Sequence, residues 1–176
     1  MTTDSAGEPA DTLGHNSGSP SHRLDGLIDG LCHVLPLRVY YEDTDAGQVV
    51  YYANYLKFME RGRSNFLRCV GVDQREMLSR RGQDDVLFVV RRVDIEYLAS
   101  AEIEDELEVR TQLREMGGAK LVMRQTVKKG PQTLTKAEVV VVSVKAQGRP
   151  ARIPDHIRKK LQPYVMADGA AANEKG

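Results

Sequence analysis

The feature that most limits the fold is a series of strand patterns in the second half of the chain, separated by turns too short to hold a crossover. Val93, Ile95 and Tyr97 alternate with Arg92, Asp94 and Glu96, and Leu107, Val109 and Leu113 alternate with Glu108, Arg110 and Arg114, the period of half-buried strands. Gly117-Gly118 then turns the chain into a strand over 121–128, and Gly130-Pro131 turns it into another over 134–145. The run Val139-Val140-Val141-Val142 suits a central strand covered on both faces. Strands joined by tight turns run antiparallel, so this half of the chain specifies an antiparallel sheet.

A sheet with an apolar face needs a cover, and one long helix is available. It starts at Asn54. Met59, Phe66, Leu67 and Val70 form its apolar face, Lys57, Glu60, Arg61 and Arg68 lie mostly elsewhere, and Gly71 marks its end. A shorter helix is expected over 73–81, with Asp73 as N-cap and Gly82 at its end. Before the long helix, Leu35, Leu37, Val39 and Tyr41 alternate as one more strand. Pro154 permits a last short helix over 155–161. The reading is an α+β domain over 33–165 with a five-stranded antiparallel sheet and one long helix.

The ends read differently. Residues 1–21 are rich in Ser, Thr, Gly, Asp and Pro, and such a segment buries too little to offset the entropy of ordering. Leu24, Leu27, Ile28 and Leu31 recur at helical spacing, so a short helix is expected there, weakened by Gly26 and Gly30. Residues 1–32 are therefore expected to be a mostly disordered extension with a short helix, and 166–176 a disordered tail.

Acidic and basic side chains number 25 each, which argues against a strong global field, and no basic block carries interleaved aromatics of the nucleic-acid-binding kind. Cys32 and Cys69 stand far apart without a CxxC spacing, against a disulfide framework or a zinc site. The first thirty residues lack the apolar core of a signal peptide, and no run of about 20 apolar residues could span a bilayer. A cytoplasmic protein is expected.

GxGxxG, P-loop, HExxH and GxSxG motifs are absent, and the four histidines are scattered. A carboxylate is thus the leading catalytic group, with no metal and no cofactor expected. Asp45 stands out because it lies on the loop between the first strand and the long helix, beside Ala46-Gly47, where a ligand can approach the backbone. From spacing alone, Asp43 and Asp45 read equally as turn residues bonded to their own backbone.

The block Arg38-Val39-Tyr40-Tyr41-Glu42-Asp43-Thr44-Asp45-Ala46-Gly47-Gln48-Val49-Val50-Tyr51-Tyr52-Ala53-Asn54-Tyr55 resembles the signature of hotdog thioesterases of the 4-hydroxybenzoyl-CoA thioesterase family. More narrowly it resembles the Tol-Pal-associated acyl-CoA thioesterases. Similar spacing continues through Phe58-Met59-Glu60-Arg61, Phe88-Val89-Val90-Arg91, Val93 to Leu98 and Gly148-Arg149-Pro150, over roughly 35–163.

The resemblance implies an antiparallel sheet wrapped around one helix, an acyl-CoA substrate, and homodimers or homotetramers with each active site at a subunit interface. It places the catalytic carboxylate on Asp45, as base or nucleophile, and the oxyanion donor on the backbone N–H of Tyr52. Two departures stand out: Tyr52 occupies a position where Tol-Pal-associated members usually have histidine, and Gln48 replaces a common glycine, a change expected to matter little because Gly47 remains. Gly47, Tyr51, Asn54 and Glu60 are supporting candidates, Asn54 as a helix cap or as a group orienting Asp45. Arg91, Arg92, Lys120 and Arg124 are candidates for coenzyme A phosphates. Met59, Phe66 and Phe88 are candidates to line an acyl pocket, with core packing as the competing reading. The rival function is a non-catalytic module that binds acyl chains or acyl carrier protein at the cell envelope, for which the tyrosine at 52 is the best support.

Overall fold

The computed structural model describes residues 24–79, 86–145 and 147–167. Residues 1–21, 168–176 of the tail expected at 166–176, and the helix end expected at Gly82 lie outside the described residues, whereas the Met166 N–H donates to the Leu113 carbonyl at 2.9 Å. Within them, six strands form one antiparallel sheet: β1 (Leu27–Asp29), β2 (Cys32–Arg38), β3 (Leu87–Tyr97), β4 (Glu106–Met116), β5 (Lys120–Lys129) and β6 (Gln132–Val144), in the spatial order β1-β2-β4-β5-β6-β3. The helices are α1 (Asn54–Cys69), α2 (Gln74–Ser79) and α3 (Asp155–Leu161).

The sheet has one strand more than the expected five, and the extra strand replaces an expected helix. Leu27, Ile28 and Asp29 pair with Val34, His33 and Cys32 as a hairpin. Gly26 and Gly30 have φ of +76° and +58°, a backbone that no right-handed helix contains. At Gly26 a side chain is also barred, since a Cβ would lie 2.3 Å from the Val34 carbonyl oxygen. The helical spacing of Leu24, Leu27, Ile28 and Leu31 is therefore overridden by two left-handed glycines and by the free edge of β2.

Alternation sets the sheet's faces as the sequence implied. Leu107, Val109, Leu113, Leu121, Met123, Val127, Val139 and Val141 are buried, and Phe58, Met59, Phe66 and Leu67 of α1 pack with them in one core. Val140 and Val142 are only half-buried, so the four-valine run is central by pairing, between β5 and β3, yet fully buried only on its helix side.

Gly62 lets α1 lie close to the sheet. A Cβ there would meet Val109 Cγ1 at 2.7 Å, Thr111 Oγ1 at 3.0 Å and Gln125 Nε2 at 3.2 Å. The fully buried Gln125 donates through Nε2 to the Met59 carbonyl (2.9 Å) and to Thr111 Oγ1 (2.8 Å). A polar group in a core must be bonded, and these bonds fix which way the amide points.

Candidate active site

The segment between β2 and α1 is held in place by Asp43. This residue is 5 % exposed; its carboxylate accepts from the Tyr40 N–H (3.0 Å), and its carbonyl accepts from the Tyr51 N–H (2.9 Å) and from Asn54 Nδ2 (2.9 Å). Asp43 thereby ties the end of the 3-10 turn Tyr41–Asp43 to the first residue of α1. The cap reading of Asn54 fails, since the N-cap is Ala53 and carries no side-chain cap; the Asn54 amide bonds the Asp43 carbonyl, so it reaches the Asp45 loop only through Asp43. At 5 % exposure, the Asn54 amide needs a fixed partner, and the Asp43 carbonyl is within reach.

Asp45 lies on the exposed loop that Asp43 anchors. Its Oδ1 accepts from the Gly47 N–H at 2.8 Å, its N–H donates to the Val49 carbonyl at 3.0 Å, and its carbonyl accepts from the Gln48 N–H at 2.9 Å. The turn reading is thus realised at both aspartates, each carboxylate accepting from a nearby backbone N–H through one oxygen. Asp45 Oδ2 has no hydrogen-bond partner among the described residues. Gln48, not Gly47, takes the left-handed conformation, with φ +61°. The expectation that Gln48 would matter little is corrected: position 48 is where the turn favours glycine. Gly47 serves differently, since a Cβ there would crowd Asp45 Oδ1 at 3.1 Å.

Tyr52 stands just before the helix, and its N–H makes no hydrogen bond among the described residues. The orphan N–H groups of α1 begin at its N-cap, Ala53, so the Tyr52 N–H lies one residue before the positive end of the helix. The Tyr52 ring is 60 % exposed and meets Tyr97 of β3 edge-on, with centroids 6.0 Å apart, and Tyr51 at 4.7 Å. The Tyr51 phenol is pushed above its ordinary range, first by its hydrogen bond with Tyr52, then by that neighbour's charge, by burial, and least by the Asp45 carboxylate. Tyr55 is core: its hydroxyl accepts from the Ala101 N–H at 3.0 Å, and Ala101 in turn accepts from the Val50 N–H at 2.8 Å. Tyr97 and Ala101 thus close the far side of the loop, and no local spacing signals them.

Glu60 lies further along α1. It is exposed, accepts from Ser64 Oγ at 2.7 Å, and pairs with neither Arg61 nor Arg63 among the described residues. With Arg63 it lines a cavity of about 300 Å³ between α1, α2 and β3, whose apolar wall includes Leu67, Met77, Phe88 and Met123. Of the three residues offered for an acyl pocket, Phe88 lines this cavity. Met59 and Phe66 do not, being fully buried in the core. Arg63 is half-buried, and its Nη1 donates to Gln125 Oε1 at 2.8 Å. Burial pushes its guanidinium below the ordinary value, against a smaller upward pull from Glu60.

The four basic candidates separate. Arg91 and Lys120 line one groove of about 540 Å³ with Val89, Val142 and Pro150. Arg92 instead pairs with Glu138 at 3.2 Å, and Arg124 sits in register with Gln112 and Glu138, outside that groove. Lys120 also pairs with Glu115 at 3.1 Å.

An antiparallel sheet packed on one central helix, with an anchored acidic loop feeding the helix start, is the hotdog architecture of thioesterases. The family model described as "Thioesterase-like superfamily" matches residues 39–161, and the chain belongs to that family. Among curated relatives, it is 46 % identical over 110 residues to the acyl-CoA thioester hydrolase YbgC of Escherichia coli O157:H7, covering 62 % of this chain and 79 % of that one. It is 38 % identical over 124 residues to the acyl-CoA thioesterase YbgC of Haemophilus influenzae, covering 70 % and 89 %. Among solved structures, a probable thioesterase from Bartonella henselae superposes with a TM-score of 0.67 at 36 % identity, covering 70 % of this chain and 99 % of that one. The chain is a thioester hydrolase by family. No described helix is long and apolar enough to cross a membrane.

Proposed function

We propose that this protein hydrolyses acyl-CoA thioesters, with Asp45 supplying the catalytic carboxylate and the Tyr52 N–H receiving the oxyanion. The observation that carries this is that Asp45 Oδ2 and the Tyr52 N–H, neither bonded among the described residues, lie on two segments that Asp43 ties together. A thioester carbonyl whose oxygen gains negative charge is stabilised by an N–H fixed in advance. Water adds its oxygen to the carbonyl carbon, the C–S bond breaks, and the thiol leaves with a proton. Asp45 either deprotonates that water or attacks first as a nucleophile. The groove holding Arg91 and Lys120 suits the phosphates of coenzyme A, and the cavity beside α1 suits the acyl group. The work is assigned to the cytoplasm, in keeping with a cysteine usage that lacks any CxxC spacing between Cys32 and Cys69.

Two copies are assigned to one functional unit. Strand β3 lies at the end of the sheet, with one long side unpaired among the described strands, and Val89, Val90, Tyr97 and Leu98 on or beside it are 41–52 % exposed. A bare, apolar edge of that length invites a second strand. When two β3 edges pair antiparallel, the Tyr97 end of one lies beside the Leu87 end of the other. Tyr97 touches Tyr52, while Leu87 to Val90 line the acyl cavity. Each Asp45 loop then comes toward the cavity of its partner.

The test is steady-state hydrolysis of short, long and aromatic acyl-CoAs by the wild type and by Asp45→Asn. Turnover by the wild type and its loss in the variant support the reading; equal turnover removes Asp45 from the chemistry. A single turnover in ¹⁸O water then separates the two routes, because label enters the Asp45 carboxylate only if an acyl-enzyme forms.

A further inference from the structure

The cavity beside α1 is lined by a guanidinium that makes no ion pair among the described residues. Arg63 supplies it, and among the described residues the only group bonded to its guanidinium is the Gln125 amide oxygen, at 2.8 Å. That amide cannot be exchanged for another partner: its nitrogen is committed to Met59 and Thr111, which leaves its neutral oxygen for Arg63. The nearest acidic group along the helix, Glu60, is exposed and engaged by Ser64. A half-buried guanidinium beside leucine, methionine and phenylalanine loses hydration and has no ion-pair partner among the described residues, Glu60 sharing the lining without bonding it; its geometry matches a carboxylate with two parallel N–H donors.

We infer that the acyl group this site prefers carries a carboxylate at its far end, so that the substrate class is the mono-thioester of a short dicarboxylic acid. This rests on the thioesterase reading and adds to it the identity of the acyl part. The reacting end lies toward the Asp45 loop that a second copy brings to the cavity, the apolar wall takes the methylenes, and Arg63 takes the terminal carboxylate. A volume of about 300 Å³ is at the small end of ligand pockets, which favours short chains.

Two thioesters of equal length isolate the effect: hexanoyl-CoA ends in a methyl group and adipoyl-CoA in a carboxylate. Wild-type protein is expected to favour adipoyl-CoA in kcat/KM by about tenfold or more, as a site built around a polar group rejects the analogue lacking it. Arg63→Met should abolish that preference, read as the ratio of the two kcat/KM values, and Arg63→Lys should restore part of it, since the charge survives but the paired donors do not. Equal use of the two thioesters by the wild type, or a parallel loss of both in Arg63→Met, overturns the inference. Calorimetry with free adipate and hexanoate gives a readout that needs no catalysis. Adipate binding that depends on Arg63, without hydrolysis of any thioester, sinks the hydrolase reading and keeps this one. Hydrolysis of both thioesters with no selective adipate binding does the reverse.

Discussion

Asn54 Nδ2 donates a 2.9 Å hydrogen bond to the carbonyl of Asp43, eleven residues earlier. The bond couples the first residue of α1 to the segment that leads into Asp45, so the helix start and the Asp45 loop, which the proposed reaction would use together, are held through one buried contact. Asn54→Ala removes the donor, while the Tyr51 N–H still satisfies the same carbonyl. The expected cost is about 1 kcal/mol of stability, with kcat falling more than KM changes because alignment, not affinity, is lost. Denaturant melts and steady-state kinetics on one protein batch check both halves.

Asp45→Asn keeps an oxygen that can accept from Gly47 and removes the charge. Turnover is expected to fall by about 10²-fold or more, with the folded state intact by circular dichroism. Retained activity would place the chemistry on another carboxylate, of which Glu60 is the first to examine.

Gln48→Gly relieves a left-handed conformation that a side chain disfavours. Stability is expected to rise by about 1 kcal/mol, read as a higher denaturation midpoint. No change would mean that the turn relaxes when glutamine occupies it.

Gly62→Ala sets two effects against each other. Alanine is the better helix former by about 1 kcal/mol, but its Cβ would sit 2.7 Å from Val109 Cγ1, beneath a helix that cannot back away without breaking the Gln125 bonds. Overpacking of this kind costs about 1–3 kcal/mol, so net destabilisation is expected in a thermal melt, and a stabilised variant would refute the close packing.

His33 predicts a pH dependence. Its ring is fully buried against Phe66, Nε2 donates to the Asp25 carbonyl at 2.7 Å, and Nδ1 has no partner. The charged groups nearest it are the Asp25 carboxylate and Arg68, paired at 2.6 Å, with the Cys69 thiol bonded to the same Asp25 carbonyl. Burial pushes the His33 pKa down, outweighing the upward pulls of Asp25. The unfolded chain therefore binds a proton first, and the folded state loses stability as pH falls below about 6.5, the ordinary histidine value. The loss continues until the lowered folded pKa is passed. Denaturation midpoints between pH 8 and 5 should decline for the wild type and decline less for His33→Gln; parallel curves would exclude His33 as the cause.

Val89→Glu together with Val90→Glu puts charge on the exposed part of β3. If copies join there, light scattering is expected to show the mass falling to that of one chain, and hydrolysis should fall with it. A wild-type protein that is already monomeric and fully active would remove the partner from the site.

Local periodicity carried most of the architecture. The helix starting at Asn54, the alternating strands, the turns at Gly117-Gly118 and Gly130-Pro131 and the last helix over 155–161 were legible because each is specified by neighbours within one or two turns of chain. The Leu24–Leu31 stripe misled for the complementary reason: a helical spacing of leucines says nothing of a free strand edge waiting in β2. At the site, the motif around Asp45 marked the acidic loop and the helix start by resemblance, and its spacing alone left Asp45 a turn residue.

What the sequence determined by itself was the order of elements, the apolar face of each, and the position along the chain of the loop that feeds the helix, since these depend on local backbone preference and on the burial period. Only the tertiary structure decided the rest. It gave Asn54 to the Asp43 carbonyl, placed the left-handed strain on Gln48, split Arg91 and Lys120 from Arg92 and Arg124, and set Arg63 beside Gln125 across 62 residues of chain. Such contacts join segments remote in sequence, and their partners are chosen by which groups remain unsatisfied after the helix settles on the sheet.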